Sequence, residues 1–355
     1  MSILAKILNM ETQRKHLLVI RLSAMGDVAM TALVVKAACQ QHPNLKITVL
    51  SRAFLKPLFE GMPNISFYAI DTKEKHKGLI GLYKLYRELK HLKIDAIADV
   101  HNVMRSKILR LFFWTKTNAS IDKGRAEKKA LTRATHKIFK QLKTTHERYA
   151  DVFKKLGHSI VLDNIALQKK TEVSHELKTL IAAQDSQTKL IGIAPFAQHA
   201  AKTYPLDMME KVIEKCSQIE NCKLLLFGGG KKEEELLKKI AASNDNTICI
   251  AGKVKLREEL VLIANLDCML SMDSGNAHFG ALYGIPTITL WGATHPYAGF
   301  APFGQAENCL LPDLEKYPKL PTSIYGNKIV DGYEEVMRTI SPDRVYTKIN
   351  EIISR

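Results

Sequence analysis

Short runs of apolar residues alternate along this chain with longer stretches in which apolar residues recur every three or four positions. Apolar runs bounded by turn residues are typical of buried strands, and the longer period is typical of amphipathic helices. In the first half this pattern predicts strands at 17–21, 46–51, 66–70 and 96–100, helices at 28–41 and 79–92, and basic helices over 106–156. Such alternation indicates βαβ units on a parallel sheet.

The same pattern restarts in the second half of the chain. It predicts strands at 190–194, 223–227, 247–251, 268–272 and 287–291, with helices at 205–218, 231–242, 257–264 and 276–282. Two such series without hairpin signals predict two Rossmann-like domains, with ligands bound beyond the carboxyl ends of the strands and a cleft between the domains as the default site.

Two further segments organise the chain between and after these series. Polar stretches at 168–173 and 184–188 flank a helix and predict the linker between the domains. Residues 341–355 begin Ser-Pro-Asp, which is a helix start with proline near the first position. We expect this last helix to pack back on the first domain.

Composition narrows the class of protein. Hydrophobic residues make up 46% and charged residues 25% of the 355 residues, which is ordinary for a folded protein and excludes disorder, collagen and coiled coil. No apolar run reaches the roughly 18–20 residues of a membrane span, and residues 1–10 are too short for a signal peptide. We expect a soluble cytoplasmic protein whose first ten residues form a short amphipathic helix. Six scattered cysteines indicate neither a disulfide framework nor a zinc site.

The charge is unevenly distributed. Residues 1–160 hold 30 Lys and Arg residues against 12 Asp and Glu residues, whereas the whole chain has a net charge of +16. This asymmetry indicates an anionic partner: nucleic acid, a membrane surface or a phosphorylated substrate. Solubility explains the charge equally well. The basic segment 123–148 lacks the aromatic platforms of single-strand binding proteins, which weighs against nucleic acid.

The turn after the first predicted strand carries Asp27 at the start of a helix. An isolated aspartate there is most often a helix-stabilising carboxylate, and it is also exposed at the carboxyl end of the strand. Gly26 alone does not make the Gly-x-Gly-x-x-Gly fingerprint, so a dinucleotide-binding domain is disfavoured.

A second strand-to-helix turn, residues 271–278, suits a phosphate. Ser274 and Gly275 offer a hydroxyl and backbone N–H groups at a helix N-terminus, and Asp273 and His278 are spaced to face one ligand. Lys202, in a loop at the same sheet edge, can hold a phosphate as a point charge. A capped helix with a half-buried histidine and a solvated lysine are the plain alternatives. The glycine turn 228–230 either admits a ligand or is a flexible turn.

These motifs occur in the order seen in a known family. The chain resembles glycosyltransferase family 9, the ADP-heptose:lipopolysaccharide heptosyltransferases, in Arg21-Leu-Ser-Ala-Met-Gly-Asp27, in Met272-Asp-Ser-Gly-Asn-Ala-His278 with its continuation at 280–287, and in segments 146–149, 202–205, 252–253 and 291–296. The resemblance implies a GT-B fold, two Rossmann-like domains facing a central cleft. The acceptor domain is then 1–175, with helix 341–355 packed on it, and the sugar-nucleotide domain is 176–340.

The resemblance also implies roles for individual residues. Asp27 matches the catalytic carboxylate, the general base, and Lys202 matches the lysine near the donor diphosphate. The remaining donor-binding residues are Asp273, Ser274, Gly275, His278, Gly229 and Glu233. The family places a ribose-binding acid close to the glycine turn, whereas this chain continues Lys231-Lys232-Glu233. Either Glu233 serves as that acid or the contact is missing. We assign acceptor binding to Ser23, Met25, Gly26, Asn102, Arg105, Arg125 and Arg148. Ser274 replaces the usual threonine, and Asn276 the usual leucine or methionine.

The activity implied by the resemblance is inverting, metal-independent transfer of heptose from ADP-heptose to the inner-core saccharide of a lipopolysaccharide precursor. No cofactor is expected. The partners are then the sugar nucleotide, an anionic lipid-linked acceptor and the cytoplasmic face of the inner membrane, with peripheral attachment and no nucleic acid. The alternatives are a GT-B transferase with another sugar nucleotide or acceptor, and a basic nucleic-acid-binding protein.

Overall fold

The computed structural model describes residues 15–163, 165–168, 170–181 and 187–354. The helix expected in residues 1–10 and part of the polar stretch 184–188 lie outside these ranges. The chain forms two compact units. The first comprises the chain up to Lys123 together with Thr145–Ala166, and the second comprises Gly124–Thr144 together with Leu167–Arg355.

The first unit is built on a five-stranded parallel sheet in the order β3-β2-β1-β4-β5. Its elements in chain order are β1 (Lys15–Ile20), α1 (Met25–Gln41), β2 (Leu45–Arg52), β3 (Ile65–Ile70), α2 (Gly78–Lys90), β4 (Ala96–Asp99), α3 (Met104–Phe112), β5 (Thr117–Ser120) and, after the segment Gly124–Thr144 that belongs to the second unit, α5 (Thr145–Lys155).

Helix α1 is buried on nearly all sides. Residues 28–39 are all buried, because α1 packs on β2, on α5 and on the 3-10 turn Ala53–Phe59. A helix that is apolar all round is stable only when it is covered in this way. The burial of α1 holds its first turn, which carries Asp27, in a fixed position at the end of β1.

The second unit contains a six-stranded parallel sheet in the order β11-β10-β9-β6-β7-β8. Its elements are α4 (Arg125–Thr132), α6 (His175–Leu180), β6 (Lys189–Ala194), α7 (Leu206–Ser217), β7 (Cys222–Leu226), α8 (Lys231–Ala242), β8 (Thr247–Cys249), α9 (Leu256–Ala264), β9 (Cys268–Met272), α10 (Gly275–Leu282), β10 (Thr287–Leu290), β11 (Cys309–Leu310) and α11 (Pro342–Ile353).

The last helix differs from its expected position. Helix α11 packs against α7 and β9 of the second unit, and its apolar residues Val345, Ile349 and Ile353 are part of the core of that unit. The prediction that 341–355 returns to the first domain is therefore wrong. The amphipathic pattern correctly identifies the apolar face of α11 but does not specify which sheet this face covers.

Segment Gly124–Thr144, which the resemblance places in the acceptor domain, groups with the second unit. Leu131 and Leu142 form an apolar cluster with Ala298, and the Lys128 ammonium lies 4.1 Å from the centre of the Phe300 ring. Arg125 is therefore part of the second unit, whereas the other residues assigned to the acceptor belong to the first.

Each sheet has one point at which the chain changes direction. Strands β2 and β3 lie on one side of β1 and β4 and β5 on the other, so the first switch point is between β1 and β4. In the second sheet it is between β6 and β9. Loops that leave adjacent strands in opposite directions open a crevice at the carboxyl edge, where ligands of such sheets bind.

Candidate functional site

Asp27 forms an ion pair with Arg21 at the switch point of the first sheet. Arg21 Nη2 lies 2.5 Å from Asp27 Oδ2. Arg21 directly follows β1 and is buried, and its Nη1 donates a hydrogen bond of 2.8 Å to the carbonyl of Val100, just beyond β4. The guanidinium thus joins the ends of β1 and β4 and fixes the direction of the Asp27 carboxylate.

Tyr149 holds the other oxygen of Asp27. Its hydroxyl donates to Asp27 Oδ1 at 3.3 Å, and its ring lies 5.8 Å from the Arg21 guanidinium. Burial, with Asp27 as a lesser cause, raises the pKa of Tyr149, so the hydroxyl stays a donor. Asp27 is also in the first turn of α1, where the helix dipole favours negative charge. Its side chain is 24% exposed, so a solvent-borne hydroxyl can reach the carboxylate.

The loop after β4 adds a neutral histidine beside this pair. His101 Nδ1 accepts the backbone N–H of Leu22 at 3.3 Å. Burial lowers the pKa of His101 to about 3, and the charge of Arg21 adds to the shift. A histidine whose Nδ1 accepts and which stays neutral carries its proton on Nε2. His101 is therefore a neutral hydrogen-bond donor at the edge where Asp27 lies.

Asn102 shapes this loop. It has a φ of +48°, which asparagine tolerates better than most residues. Its backbone N–H donates to Asp99 Oδ1 at 2.7 Å, and its side-chain amide donates to the carbonyl of Ile121 at 3.0 Å. Asp99, fully buried, is also paired with Arg110 at 3.1 Å. The turn that carries His101 is thus fixed from both sides.

The other residues assigned to the acceptor occupy different environments. Ser23 lies in the turn between β1 and α1, and Met25 and Gly26 are the first two residues of α1, directly before Asp27; Met25 is exposed. Arg105 is exposed in the first turn of α3. Arg148 is buried, and its Nη1 donates to the carbonyl of Asp122 at 3.4 Å.

The second unit has its own ion pair at its switch point. Lys202 follows β6, Asp273 follows β9, and Lys202 Nζ lies 3.0 Å from Asp273 Oδ2. The same oxygen accepts the Thr294 hydroxyl at 2.9 Å. Both charged side chains are largely buried, since only 15% of Lys202 and 10% of Asp273 is exposed. Thr294 comes from the loop after β10, so three strand ends converge on this carboxylate.

Gly326 allows Lys202 to adopt this position. A Cβ atom on Gly326 would overlap the Cγ and Cδ atoms of Lys202, and Gly326 has a φ of +75°. Its N–H donates to the Ser323 hydroxyl at 2.9 Å, which closes the turn over the lysine stem. Gly326 therefore packs against the aliphatic part of the Lys202 side chain.

Helix α10 begins directly after Asp273. Ser274 is its N-cap residue but makes no side-chain bond to the helix, and its hydroxyl lies 3.1 Å from that of Ser271. The first N–H groups of a helix have no intrahelical partner, so an anion can be bound there. Gly275 is the first residue of α10, and His278 is buried one turn further on. Lys202 and these N–H groups therefore lie together.

The glycine turn after β7 is folded against Glu233. The N–H of Gly229 donates to Glu233 Oε2 at 2.8 Å, and Glu233 is in the first turn of α8. Strand β7 is the neighbour of β6, so this turn is at the same edge of the sheet as Lys202. Glu233 thus presents a partly exposed carboxylate that accepts hydroxyl hydrogen bonds.

Four residues that surround Asp27 and Asp273 are not assigned to the site from the sequence: Arg21, His101, Tyr149 and Thr294. Arg21, Tyr149 and Thr294 lie within segments that carry the family resemblance, which is the signal that points to them.

Across the described ranges, no three His, Cys, Asp or Glu side chains are grouped to hold a metal ion. No helix in these ranges is both long and apolar enough to cross a membrane.

Comparison with known proteins identifies the family. Residues 82–328 match the profile of glycosyltransferase family 9 (heptosyltransferase). The lipopolysaccharide core heptosyltransferase OpsX of Haemophilus influenzae is 26% identical over 297 residues, 83% of each chain. The family 9 glycosyl transferase of Veillonella parvula superposes with a TM-score of 0.73 at 19% identity, over 96% of this chain and 98% of that one.

A second solved structure is that of the E. coli heptosyltransferase WaaC with ADP. It superposes with a TM-score of 0.65 at 16% identity, over 95% of this chain and 99% of that one. The two parallel α/β units and these structural likenesses establish the GT-B fold. Because the profile covers more than half of the sequence, this chain belongs to glycosyltransferase family 9 and is a glycosyltransferase.

Proposed function

We propose that this enzyme transfers a heptose from ADP-heptose to the inner-core saccharide of a lipopolysaccharide precursor. The relative OpsX is a lipopolysaccharide core heptosyltransferase, and WaaC was solved with ADP. The observation that carries the proposal is the Lys202–Asp273 pair at the start of α10, because it places one buried cation beside the N-terminus of a helix. That combination suits the diphosphate of a sugar nucleotide.

The second unit is the donor unit in this proposal. Lys202 and the first N–H groups of α10 bind the two phosphates, and Asp273, held by Thr294, directs Lys202 and faces the sugar. Glu233 accepts hydrogen bonds from the ribose hydroxyls. Gly229 has no side chain, so the nucleoside can approach the backbone beside Glu233. His278, which is buried in α10, supports the turn between β9 and α10.

The first unit supplies the acceptor side and the base. Asp27 takes the proton of an acceptor hydroxyl, whose oxygen attacks the anomeric carbon from the face opposite the nucleotide. The new C–O bond forms as the bond to the β-phosphate breaks, and ADP leaves with the electron pair. The configuration at the anomeric carbon is thereby inverted. Arg21 and Tyr149 keep the carboxylate in place. Ser23, Met25, Gly26, Asn102 and Arg105 line the approach, and Arg148, which is buried, holds the carbonyl of Asp122.

Positive charge for the departing ADP comes from the protein itself. Lys202 and the α10 N–H groups stabilise the negative charge that develops on the β-phosphate. We therefore propose that transfer needs no metal ion and no cofactor. Transfer in excess EDTA at an unchanged rate is the expected result, and activity restored only by Mg²⁺ would refute this part.

The charge distribution fits an anionic, lipid-linked acceptor at the cytoplasmic face of the inner membrane. The first unit holds 23 Lys and Arg residues against 12 Asp and Glu residues, and the segment Gly124–Thr144 adds seven basic residues and one acidic residue. Arg125, the first residue of α4 in that segment, faces solvent. We propose that these charges bind the phosphorylated acceptor and hold the enzyme peripherally at the membrane.

The decisive experiment supplies the purified protein with ADP-heptose and a heptose-free core acceptor and measures ADP release and product mass. Calorimetry with ADP, UDP and GDP accompanies it. We expect heptose transfer and binding of ADP in preference to the other two. Preferential binding of UDP or GDP would overturn the heptose assignment and favour a transferase with another sugar nucleotide. NMR of the product distinguishes inversion from retention at the anomeric carbon.

A further inference from the structure

Six large apolar side chains of the first unit face solvent on two neighbouring helices and the turn that follows them. We call this set the α2–α3 surface: Leu79, Ile80, Tyr83, Met104, Leu111 and Trp114. Ile80 is 76% and Trp114 is 78% exposed. Single exposed apolar residues are normal, whereas six on two neighbouring helices and the turn after them mark an interaction site.

The six side chains are not displaced members of the core. The inner face of α2 is formed by Leu82, Leu85 and Leu89, which are buried, and α3 is anchored by Leu109 and Phe113. The two helices pack on each other through aromatic rings. Tyr83 meets Phe112 edge-on at 5.7 Å between ring centres, and Tyr86 meets Phe113 at 4.8 Å. The exposed residues therefore lie on the solvent side of these helices, and other residues of the same helices form the core.

Basic residues surround and interleave with the apolar ones. Exposed lysines and arginines on and beside the two helices are Lys77, Lys84, Arg87, Lys90, Arg105, Lys107 and Lys116. The sequence of α2 and α3 contains one carboxylate, Glu88. Glu88 is engaged by Lys75 at 2.8 Å and by His76 at 3.2 Å. The surface thus combines apolar side chains with an excess of positive charge.

This surface begins at the edge of the sheet that carries Asp27. Helix α3 starts at Met104, directly after the His101–Asn102 turn, and α2 starts beyond the carboxyl end of β3. The carboxyl ends of parallel strands share one edge, so Ile80 and Met104 lie on the same edge as the Arg21–Asp27 pair. Met104 therefore begins the surface three residues after His101, which lies at the same edge of the sheet as the proposed base.

We propose that the α2–α3 surface docks the enzyme on an anionic phospholipid bilayer. Lysine and arginine side chains reach the headgroups, each contributing on the order of 1 kcal/mol, while aliphatic and tryptophan side chains enter the boundary with the acyl chains. This inference deepens the proposed function and rests on it, since the acceptor there is lipid-linked. A second copy of the chain fits poorly, because its positive charges would face the same charges.

Tryptophan fluorescence tests this surface directly, because the chain has two tryptophans and Trp291 is fully buried. The full-length protein is mixed with vesicles of phosphatidylglycerol and phosphatidylcholine, or of phosphatidylcholine alone. We expect a blue shift of the Trp114 emission and quenching by brominated acyl chains with anionic vesicles, and much weaker binding in 0.5 M salt. A Trp114→Phe variant should lose the signal. Unchanged Trp114 emission with anionic vesicles would refute the proposal.

Vesicle co-sedimentation of two serine variants provides the matched comparison. The double variant Ile80→Ser/Leu111→Ser should bind anionic vesicles at least tenfold more weakly, because two buried aliphatic contacts are lost. Val161→Ser, at a 60% exposed position elsewhere in the first unit, should bind like the wild type. Equal binding by the double variant, or a wild type that dimerises through this face in ultracentrifugation instead, would overturn the assignment.

Activity on a water-soluble acceptor without acyl chains separates this proposal from the proposed function. The double variant should keep wild-type turnover on that acceptor and lose it on acceptor embedded in vesicles. If the wild type binds anionic vesicles but transfers no heptose to either acceptor, the proposed function fails and the docking surface stands. If transfer occurs and vesicle binding does not, the docking surface fails alone.

Discussion

The Arg21 guanidinium lies 2.5 Å from the Asp27 carboxylate and is itself held by the carbonyl of Val100. The pair sits where the first sheet changes direction, and the pair of Lys202 and Asp273 occupies the corresponding place in the second sheet. In the first unit the carboxylate is the more exposed partner, and it is suited to accept a proton. In the second, both partners are nearly buried, and the cation adjoins a helix N-terminus.

Replacement of Asp27 by asparagine should abolish most of the turnover. The amide keeps the size of the side chain and removes the site that takes the proton, so we expect kcat to fall by about 10²–10⁴ with an unchanged KM for ADP-heptose. Steady-state kinetics with saturating acceptor measures this.

Tyr149→Phe is the control for Asp27→Asn, because it perturbs the position of the Asp27 carboxylate without removing it. It removes one hydrogen bond of 3.3 Å and leaves the Arg21 contact intact, so the expected loss of kcat is only a few-fold. If Asp27→Asn lost no more activity than Tyr149→Phe, Asp27 would be a helix-stabilising residue and not the base.

Lys202→Ala should weaken ADP binding. Loss of a charged hydrogen bond to phosphate is worth about 1.5–3 kcal/mol, which corresponds to roughly a 10- to 150-fold increase in the Kd measured by calorimetry. Lys231→Ala, an exposed lysine at the start of α8 on the same edge of the sheet, is the matched control and should leave Kd unchanged. An equal effect of both variants would indicate a general effect of charge and no specific phosphate contact.

Gly326→Ala should act on Lys202 without changing any charge. The added methyl group overlaps the lysine stem, so we expect Lys202 to be displaced and ADP to bind more weakly. Gly332 provides the comparison, since it also has a positive φ (+77°) but a Cβ atom at this position would meet no atom within 4 Å. Gly332→Ala should share the backbone strain, about 1 kcal/mol of stability, and retain the wild-type Kd for ADP. Equal Kd values for the two variants would contradict the role of Gly326.

The strands with continuous apolar runs are predictable from the sequence, because they are buried on both faces. The β9 strand is predicted at its observed bounds, Cys268–Met272. The β5 strand is not predicted, because Thr117–Ser120 is a short and largely exposed edge strand whose residues are mostly polar. The β11 strand has two residues and gives no periodic signal.

The candidate site is predictable only where it lies within one short motif. Asp27, Lys202 and Asp273 each follow a strand and stand out in the sequence. Arg21 begins the same motif as Asp27, but its role cannot be predicted from the motif alone, because its burial depends on Val100 and on Tyr149, which are far away in sequence. Thr294 joins Asp273 from the next strand of the sheet, a contact that requires the strand order.

The acid stability of the first unit should depend on Glu88. Burial acts to raise the pKa of this carboxyl group, but hydrogen bonds from Lys75, Tyr68 and His76 outweigh it and lower the pKa to about 2. A carboxyl group with a depressed pKa in the folded state stabilises the fold above its ordinary pKa of 4.5, and this contribution is lost as the pH falls from there through 2. Because the Glu88 side chain is 27% exposed, solvent screening reduces the contribution to about 1 kcal/mol.

Glu88→Gln should therefore lower the free energy of unfolding at pH 7 by that amount, and the difference from the wild type should shrink between pH 4.5 and pH 2, as measured by urea denaturation. Glu235→Gln, at an exposed position on α8, should show no such difference at any pH. A gap between the Glu88→Gln variant and the wild type that stays constant down to pH 2 would mean that the charge of Glu88 is not what stabilises the β3–α2 connection.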